Sequence, residues 1–310
     1  MNKYTAYCSP LERGRFYLNE FTNSFINKIR GVLTLLVILF FSANTFSQVA
    51  NDAVGSRSVA MGGVTTTLTD LWSANNNQAG LGFVTELSGG IYYENRFLLK
   101  ETAYKAGVFV LPTKVGAIGI SVASFGYSAY SETKAGLSYG QRFGDKFSIG
   151  IQLNYLNTSL SQEYGSNNTV TGAVGLIAKL SDELRMGVHV YNPTRTSLAD
   201  YDNEKIPTVM KLGLDYRFSK KVIFVIETEK SLDYKAVVRF GIEYQVLDVL
   251  YLRGGISTNP TLSVFGFGLN LKDFKIDLSS SFHQTLGITP SISLIYVKSK
   301  KAKKSVPSIE

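Results

Sequence analysis

Two histidines, His189 and His283, and one cysteine, Cys8, are all the imidazole and thiol that the 310 residues supply. A Ser-His-Asp relay needs a base within reach of a nucleophile and of an orienting carboxylate. The nearest approach to one is Ser281, His283 and Asp277. Serines stand beside any histidine in this chain, so the grouping carries little weight, and a satisfied polar role fits both imidazoles better. His and Cys form no transition-metal cluster. Gly266-x-Gly268 lies within an alternating stretch, where glycine relieves crowding more often than it cradles phosphate. We expect no enzymatic activity, no cofactor and no metal.

The remaining groups with chemical reach are charges at alternate positions, among them Lys211, Asp215, Glu227, Glu229, Arg239, Glu243, Arg253 and Asp277. Lys211, Arg239 and Arg253 are the candidate ligand-binding residues. A guanidinium can grip a carboxylate headgroup through two parallel hydrogen bonds, and an ammonium serves as a point charge. The plainer expectation is a mixed-sign interior whose charges pair with one another. A barrel that turns its apolar side to lipid must keep its charges inside, so their presence alone marks no site.

The elements that carry these residues alternate with period two. In 208–218, Met210, Leu212, Leu214 and Tyr216 oppose Lys211, Gly213, Asp215 and Arg217. In 147–156, Phe147, Ile149, Ile151, Leu153 and Tyr155 oppose Ser148, Gly150, Gln152 and Asn154. Successive side chains of a strand point to opposite faces, so each stretch reads as a two-faced strand. Strands are expected near 86–95, 102–111, 115–125, 132–143, 147–158, 169–180, 184–191, 207–218, 222–230, 235–246, 249–257, 262–271, 274–282 and 289–298. Most run to the roughly 9–11 residues that a tilted bilayer-spanning strand needs, against about 5–6 in ordinary sheets. Links after even strands are tight, as in Gly144-Asp145-Lys146 and Lys272-Asp273. Most links after odd strands are longer, including Arg96–Glu101, Gly126–Ser131, Ser159–Asn168 and Asn192–Ile206. Short periplasmic turns facing longer external loops are the pattern of outer-membrane barrels. The fold class expected is all-β, a transmembrane antiparallel β-barrel of about 14 strands with an N-terminal plug. An even strand number places both termini on the periplasmic side.

Composition agrees with that class. Hydrophobic residues make up 45% and charged residues 18%, below the roughly 25% of a soluble domain. The mean hydropathy of +0.05 is far from that of a helical membrane protein. Residues 1–47 read as a signal peptide with a long leader: Lys28 and Arg30, then the apolar run Val32 to Phe41, then Thr45-Phe46-Ser47. A single-pass anchor is the alternative, but the run falls short of the roughly 20 residues a spanning helix needs. Residues 48–85, small and polar with Trp72 among them, are assigned to the plug; a disordered periplasmic leader is the other reading. The barrel is assigned 86–298 and a basic periplasmic tail 299–310. Net charge is +8, and without residues 1–47 it is +5, from 27 basic and 22 acidic residues. Several of those lysines lie in the tail, so no nucleic-acid surface is expected.

Gly55-x-Arg57-x-x-x-Met61-Gly62-Gly63, then Asp70, then Asn77-Gln78-Ala79-Gly80-Leu81, resemble the start of the PorV/PorQ group within the FadL-like outer-membrane proteins of Bacteroidetes. That family usually carries proline where Gln78 stands. The resemblance continues at Asn192-Pro193, Lys205-Ile206-Pro207, Arg239-x-Gly241-x-Glu243-Tyr244, Leu252-Arg253-Gly254-Gly255 and Phe274-x-Ile276-Asp277. The order and spacing of these motifs carry the resemblance. It implies a fourteen-stranded barrel with a plug built on Arg57, Met61, Gly62, Gly63, Asn77 and Gly80. It also implies a binding or shuttle component linked to type IX protein secretion, with outer-membrane lipid, secretion-system components or cargo protein as partners. The alternative within the same group is a FadL-like channel for long-chain fatty acids or other hydrophobic small molecules.

Overall fold

Along residues 147–156 and the stretches that flank them, one face is polar and closely packed while the other is apolar and bare. Leu153 is 59% exposed and its neighbour Asn154 is 0% exposed. This inverts the rule for a water-soluble fold and fits a wall with oil outside and a packed polar lumen inside. The computed structural model describes residues 52–160, 165–196, 206–232 and 235–298. Expectations for residues 1–51 and 299–310 lie outside the described residues.

The strands are β1 (Ser88–Asn95), β2 (Ala103–Pro112), β3 (Gly116–Tyr127), β4 (Tyr130–Phe143), β5 (Phe147–Leu160), β6 (Ser166–Lys179) and β7 (Leu184–Tyr191), followed by β8 (Val209–Arg217), β9 (Val222–Ser231), β10 (Val237–Leu247), β11 (Leu250–Ser257), β12 (Leu262–Leu271), β13 (Phe274–His283) and β14 (Gly287–Val297). Each pairs antiparallel with its sequence neighbours, and β1 pairs with β14, Ser88 opposite Val297, to close the cylinder. Closure leaves no unpaired edge, which is what allows a sheet to sit in hydrocarbon.

The outer surface is a band of Ile, Leu, Val and Phe, including Ile120, Ile151, Leu212, Phe240, Phe265 and Ile292. Near the tight turns it ends in exposed aromatics: Phe143 opposite Phe147, Phe218 edge-on to Phe224 at 6.4 Å, and Phe274 against Tyr296 at 5.3 Å. Aromatic rings at the band's margin match the interfacial girdle of such barrels.

Two expected loops are shorter than the sequence suggested. The link placed at Gly126–Ser131 is a two-residue turn, Ser128-Ala129, with Tyr127 paired to Tyr130. The link placed at Ser159–Asn168 shrinks because β5 and β6 continue to Leu160 and from Ser166. The added pairs are Gly126 opposite Ser131 and Tyr127 opposite Tyr130 in the first link, and Ser159 opposite Ser166 in the second, none of which continues the apolar alternation. A strand continuing past the membrane loses its apolar alternation but keeps its hydrogen-bond ladder, so the periodicity ends before the strand does.

Residues 54–83 fill the barrel. They form one short helix, α1 (Ser56–Ala60), and two helical turns, Leu71–Ala74 and Gln78–Phe83. Val54, Ala60, Met61, Ala74 and Leu81 are fully buried, so this stretch is a packed plug rather than a solvated leader. Wall glycines make room for it. Gly140 lies opposite Gly150, Gly187 opposite Gly213, and Gly241 opposite Gly255. A Cβ at Gly150 would stand 2.2 Å from the Gln78 carbonyl carbon, and one at Gly255 would stand 2.2 Å from the Gly62 nitrogen.

Candidate functional site

The plug begins with Arg57. Its guanidinium grips Glu243 of β10 through two bonds, of 2.8 and 2.7 Å, and donates a third, of 3.0 Å, to Asp70 of the plug itself. Asp70 also accepts from the Trp72 backbone and so starts the Leu71–Ala74 turn. Glu243 accepts again, from Arg253 at 2.6 Å, and Arg253 donates to Asp277 at 2.6 Å. The result is an alternating chain, Asp70–Arg57–Glu243–Arg253–Asp277, running from plug to wall. Burial alone would depress the Arg57 guanidinium, but Glu243 and then Asp70 more than offset it and hold it well above its ordinary range.

A second chain lies on β8 to β10. Glu227 is fully buried and accepts from the Thr65 and Thr66 backbone amides at 2.6 and 2.8 Å and from the Thr66 hydroxyl at 2.9 Å. Arg239 bridges Glu227 and Glu229 at 3.4 and 2.9 Å, and Lys211 reaches Glu229 at 3.3 Å. Arg185 pairs with Asp215 at 2.9 Å and touches the Thr69 hydroxyl. The three cations predicted to bind a ligand therefore each hold a carboxylate of the wall. An incoming headgroup would compete with Glu227, Glu229, Glu243 or Asp277 for them.

The other plug residues have local reasons. Gly62 and Gly63 sit at φ of +80° and +83°, and a Cβ on Gly62 would lie 2.8 Å from the carbonyl oxygens of Phe240 and Ile256. Met61 packs over Gly241 and Gly255. Asn77 caps the second helical turn by accepting from Ala79, and donates to the Thr66 carbonyl at 2.6 Å. Gly80 lies where a Cβ would collide with the Ser73 hydroxyl. Gln78, in the place where the resembled family carries proline, donates to Gln152 at 2.6 Å.

Ser281, His283 and Asp277 do not assemble into a relay. Asp277 is held by Arg253, and His283 Nδ1 accepts from the Thr285 and Leu286 amides at 3.1 Å. His189 is buried, with neither ring nitrogen partnered among the described residues.

At the tight-turn end, below the first ion chain, a cavity of about 940 Å³ is lined by Asp70, Arg217, Lys220, Glu243, Lys275 and Asp277, among others. Its charges are mixed in sign, and Leu71, Phe83, Phe218, Ile223 and Ile295 give the same wall an apolar part. Against β1–β3 the plug packs through apolar side chains: Val54, Leu71, Trp72 and Leu81 lie against Tyr92, Tyr104, Val108 and Val110 in one cluster, which shares Leu71 and Ile295 with the cavity wall. Sequence reading missed both Glu227 as a plug anchor and this seam. The wall glycines at inward positions were the available signal, because a repeated absence of side chain on the packed face means that another backbone approaches there.

No protein-family model matches the chain, and no curated protein sequence matches it. Solved structures do. The toluene transporter TodX of Pseudomonas putida aligns with a TM-score of 0.64 at 14% identity, over 82% of this chain and 100% of that one. The monoaromatic hydrocarbon channel CymD aligns at 0.63 and 15%, over 83% and 100%. A Pseudomonas aeruginosa FadL homologue aligns at 0.56 and 13%, over 82% and 99%. At these identities the likeness is one of fold.

Proposed function

We propose that this barrel carries hydrophobic small molecules across the outer membrane, as its alternative sequence reading suggested. The observation behind the proposal is the shared architecture: a closed fourteen-stranded wall around an N-terminal plug, in the form used by solved hydrocarbon channels. The apolar part of the cavity wall, with Leu71, Phe83, Phe218, Ile223 and Ile295, supports it, since an oily ligand needs an oily surface to move along. In this reading the tight-turn end faces the periplasm, residues 1–47 are removed on export, and 299–310 form a periplasmic tail.

The test is entry of the apolar fluorophore N-phenyl-1-naphthylamine into cells with and without the protein in their outer membrane. Severalfold faster entry with the barrel is expected. Equal rates overturn the proposal.

A second reading, a shuttle of PorV/PorQ type in protein secretion, has its own support. The plug is clasped by Glu227 and Glu243, and Leu98 and Leu99 stand exposed on the β1–β2 loop, where a cargo could be met. Loss of secreted proteins from the medium, with unchanged fluorophore entry, is the outcome that favours it.

A further inference from the structure

Strands β3 to β6 continue past the apolar band, and their outward face there has a single character. Ser124, Thr133, Asn157 and Asn168 stand opposite one another in a row across the four strands. The next row towards the loops holds Ser131, Ser159 and Ser166, with Gly126 at its β3 end. The row below holds Tyr155, half exposed, beside Val170. Every side chain of the two upper rows is a hydroxyl or an amide. No charge interrupts them, although Glu132 and Lys134 stand on the inward face of β4. Lys105 of β2, opposite Ser124, borders the first row. The amides are half engaged: Asn168 Oδ1 accepts from the Tyr155 hydroxyl at 2.8 Å and from Asn157 Nδ2 at 2.7 Å. That network fixes both side chains and leaves Asn168 Nδ2 to donate and Asn157 Oδ1 to accept, neither having a partner among the described residues.

A protein surface that meets only water is usually rich in charge of both signs. Hydroxyls and amides instead donate and accept at once, as the hydroxyls of a sugar do. An uncharged group also loses less than an ion when a partner displaces its water. The level of the two rows is set by what lies beneath them. They begin directly above Tyr155, at the aromatic margin where acyl chains give way to headgroups, so they continue the lipid-facing wall into the headgroup layer. We propose that this outward face of β3–β6 docks the saccharide headgroup of a glycolipid in the outer leaflet. Asn157, Asn168 and the flanking hydroxyls bond sugar hydroxyls, while the acyl chains lie on the apolar band below. The inference goes beyond the hydrophobic passage and shares with it only the orientation that puts the loop end outside.

The test uses the purified, full-length barrel in phosphatidylcholine vesicles with a trace of lipid spin-labelled near the end of one acyl chain. The motionally restricted fraction of the label gives the relative association of that lipid with the wall. Digalactosyl diacylglycerol is the probe and phosphatidylcholine the reference; the probe is neutral, which keeps Lys105 out of the comparison. Averaged over the whole perimeter, the glycolipid should be preferred about twofold, as a few neutral hydrogen bonds on part of the wall would give. Asn157→Val with Asn168→Val, side chains that suit an exposed strand, should abolish the preference. A second pair, Ser131→Val with Ser159→Val, should lower it, and Thr228→Val, outward on β9 and away from this face, should leave it intact. Faster migration before boiling checks that each variant is folded. Equal association of the two lipids with the unsubstituted barrel overturns the inference, as does a preference that both pairs leave unchanged or that Thr228→Val also removes. Both leaflets of the vesicles carry the probe, so this result does not depend on orientation. Orientation is read separately, from Ser128→Cys in the β3–β4 turn, which a membrane-impermeant maleimide should label on intact cells. Labelling only after the outer membrane is opened would put this face in the periplasm and overturn the assignment to the outer leaflet. Naphthylamine entry is independent of both readings, so the passage can stand where this face fails, and fail where it stands.

Discussion

Glu227 shows what a single lumen carboxylate does in this molecule. It has no solvent contact and satisfies two backbone amides and a hydroxyl of the plug, with Arg239 beside it. Truncating one partner of a buried, bonded charge leaves the others uncompensated, at a cost of about 3–5 kcal/mol. Glu227→Ala should therefore lower the urea stability of the refolded barrel by about that much. Arg57 makes a pH prediction. Its pKa is raised, so its contribution is full below the unfolded guanidinium pKa and fades only as pH rises through the still higher folded value. Protease resistance of the plug should be the same at pH 7 and pH 10. Arg57→Lys, which cannot grip Glu243 with two parallel bonds, should weaken it at both. From sequence, Lys211, Arg239 and Arg253 could be placed on the inward face because strand phase fixes facing. Their carboxylate partners could not be assigned, because pairing across strands depends on register.

Among the elements, β12 was legible to the residue, 262–271, because Phe265, Phe267, Leu269 and Leu271 alternate with Gly266, Gly268 and Asn270. The ends of β3 to β6 were not, because beyond the apolar band the alternation of apolar and polar residues stops and periodicity no longer informs. The path of the plug was not legible either. It has no period of its own, and its position is set by glycines scattered over distant strands. That dependence can be tested. At Gly150 a new side chain would collide with Gln78, whereas at Gly107, on the outer face, nothing lies within 4 Å. Gly150→Val should displace the plug and raise single-channel conductance in planar bilayers; Gly107→Val should leave it at the wild-type level. Matching conductance in the two variants would mean the plug is not seated against this wall.

For the molecule as a whole, the balance between an oily exterior and a charged interior sets both location and stability. Leu212 faces outward, half exposed, in the middle of β8. Leu212→Arg should cost about 2–4 kcal/mol in lipid if that position lies near the midplane. A closed cylinder should also migrate faster on a gel before boiling than after.

The most direct test uses single cysteines placed along β5, from Ser148 to Asn154 with Gly150 left in place, in a chain whose one natural cysteine is Cys8. Spin labels at these positions in membranes are read by collision with oxygen, which concentrates in lipid, and with a water-soluble nickel complex. Oxygen should dominate at Ile149, Ile151 and Leu153, while Ser148, Gln152 and Asn154 should be shielded from it, with a period of two. Uniform access to the nickel complex along the strand would contradict a lipid-embedded wall around a filled lumen.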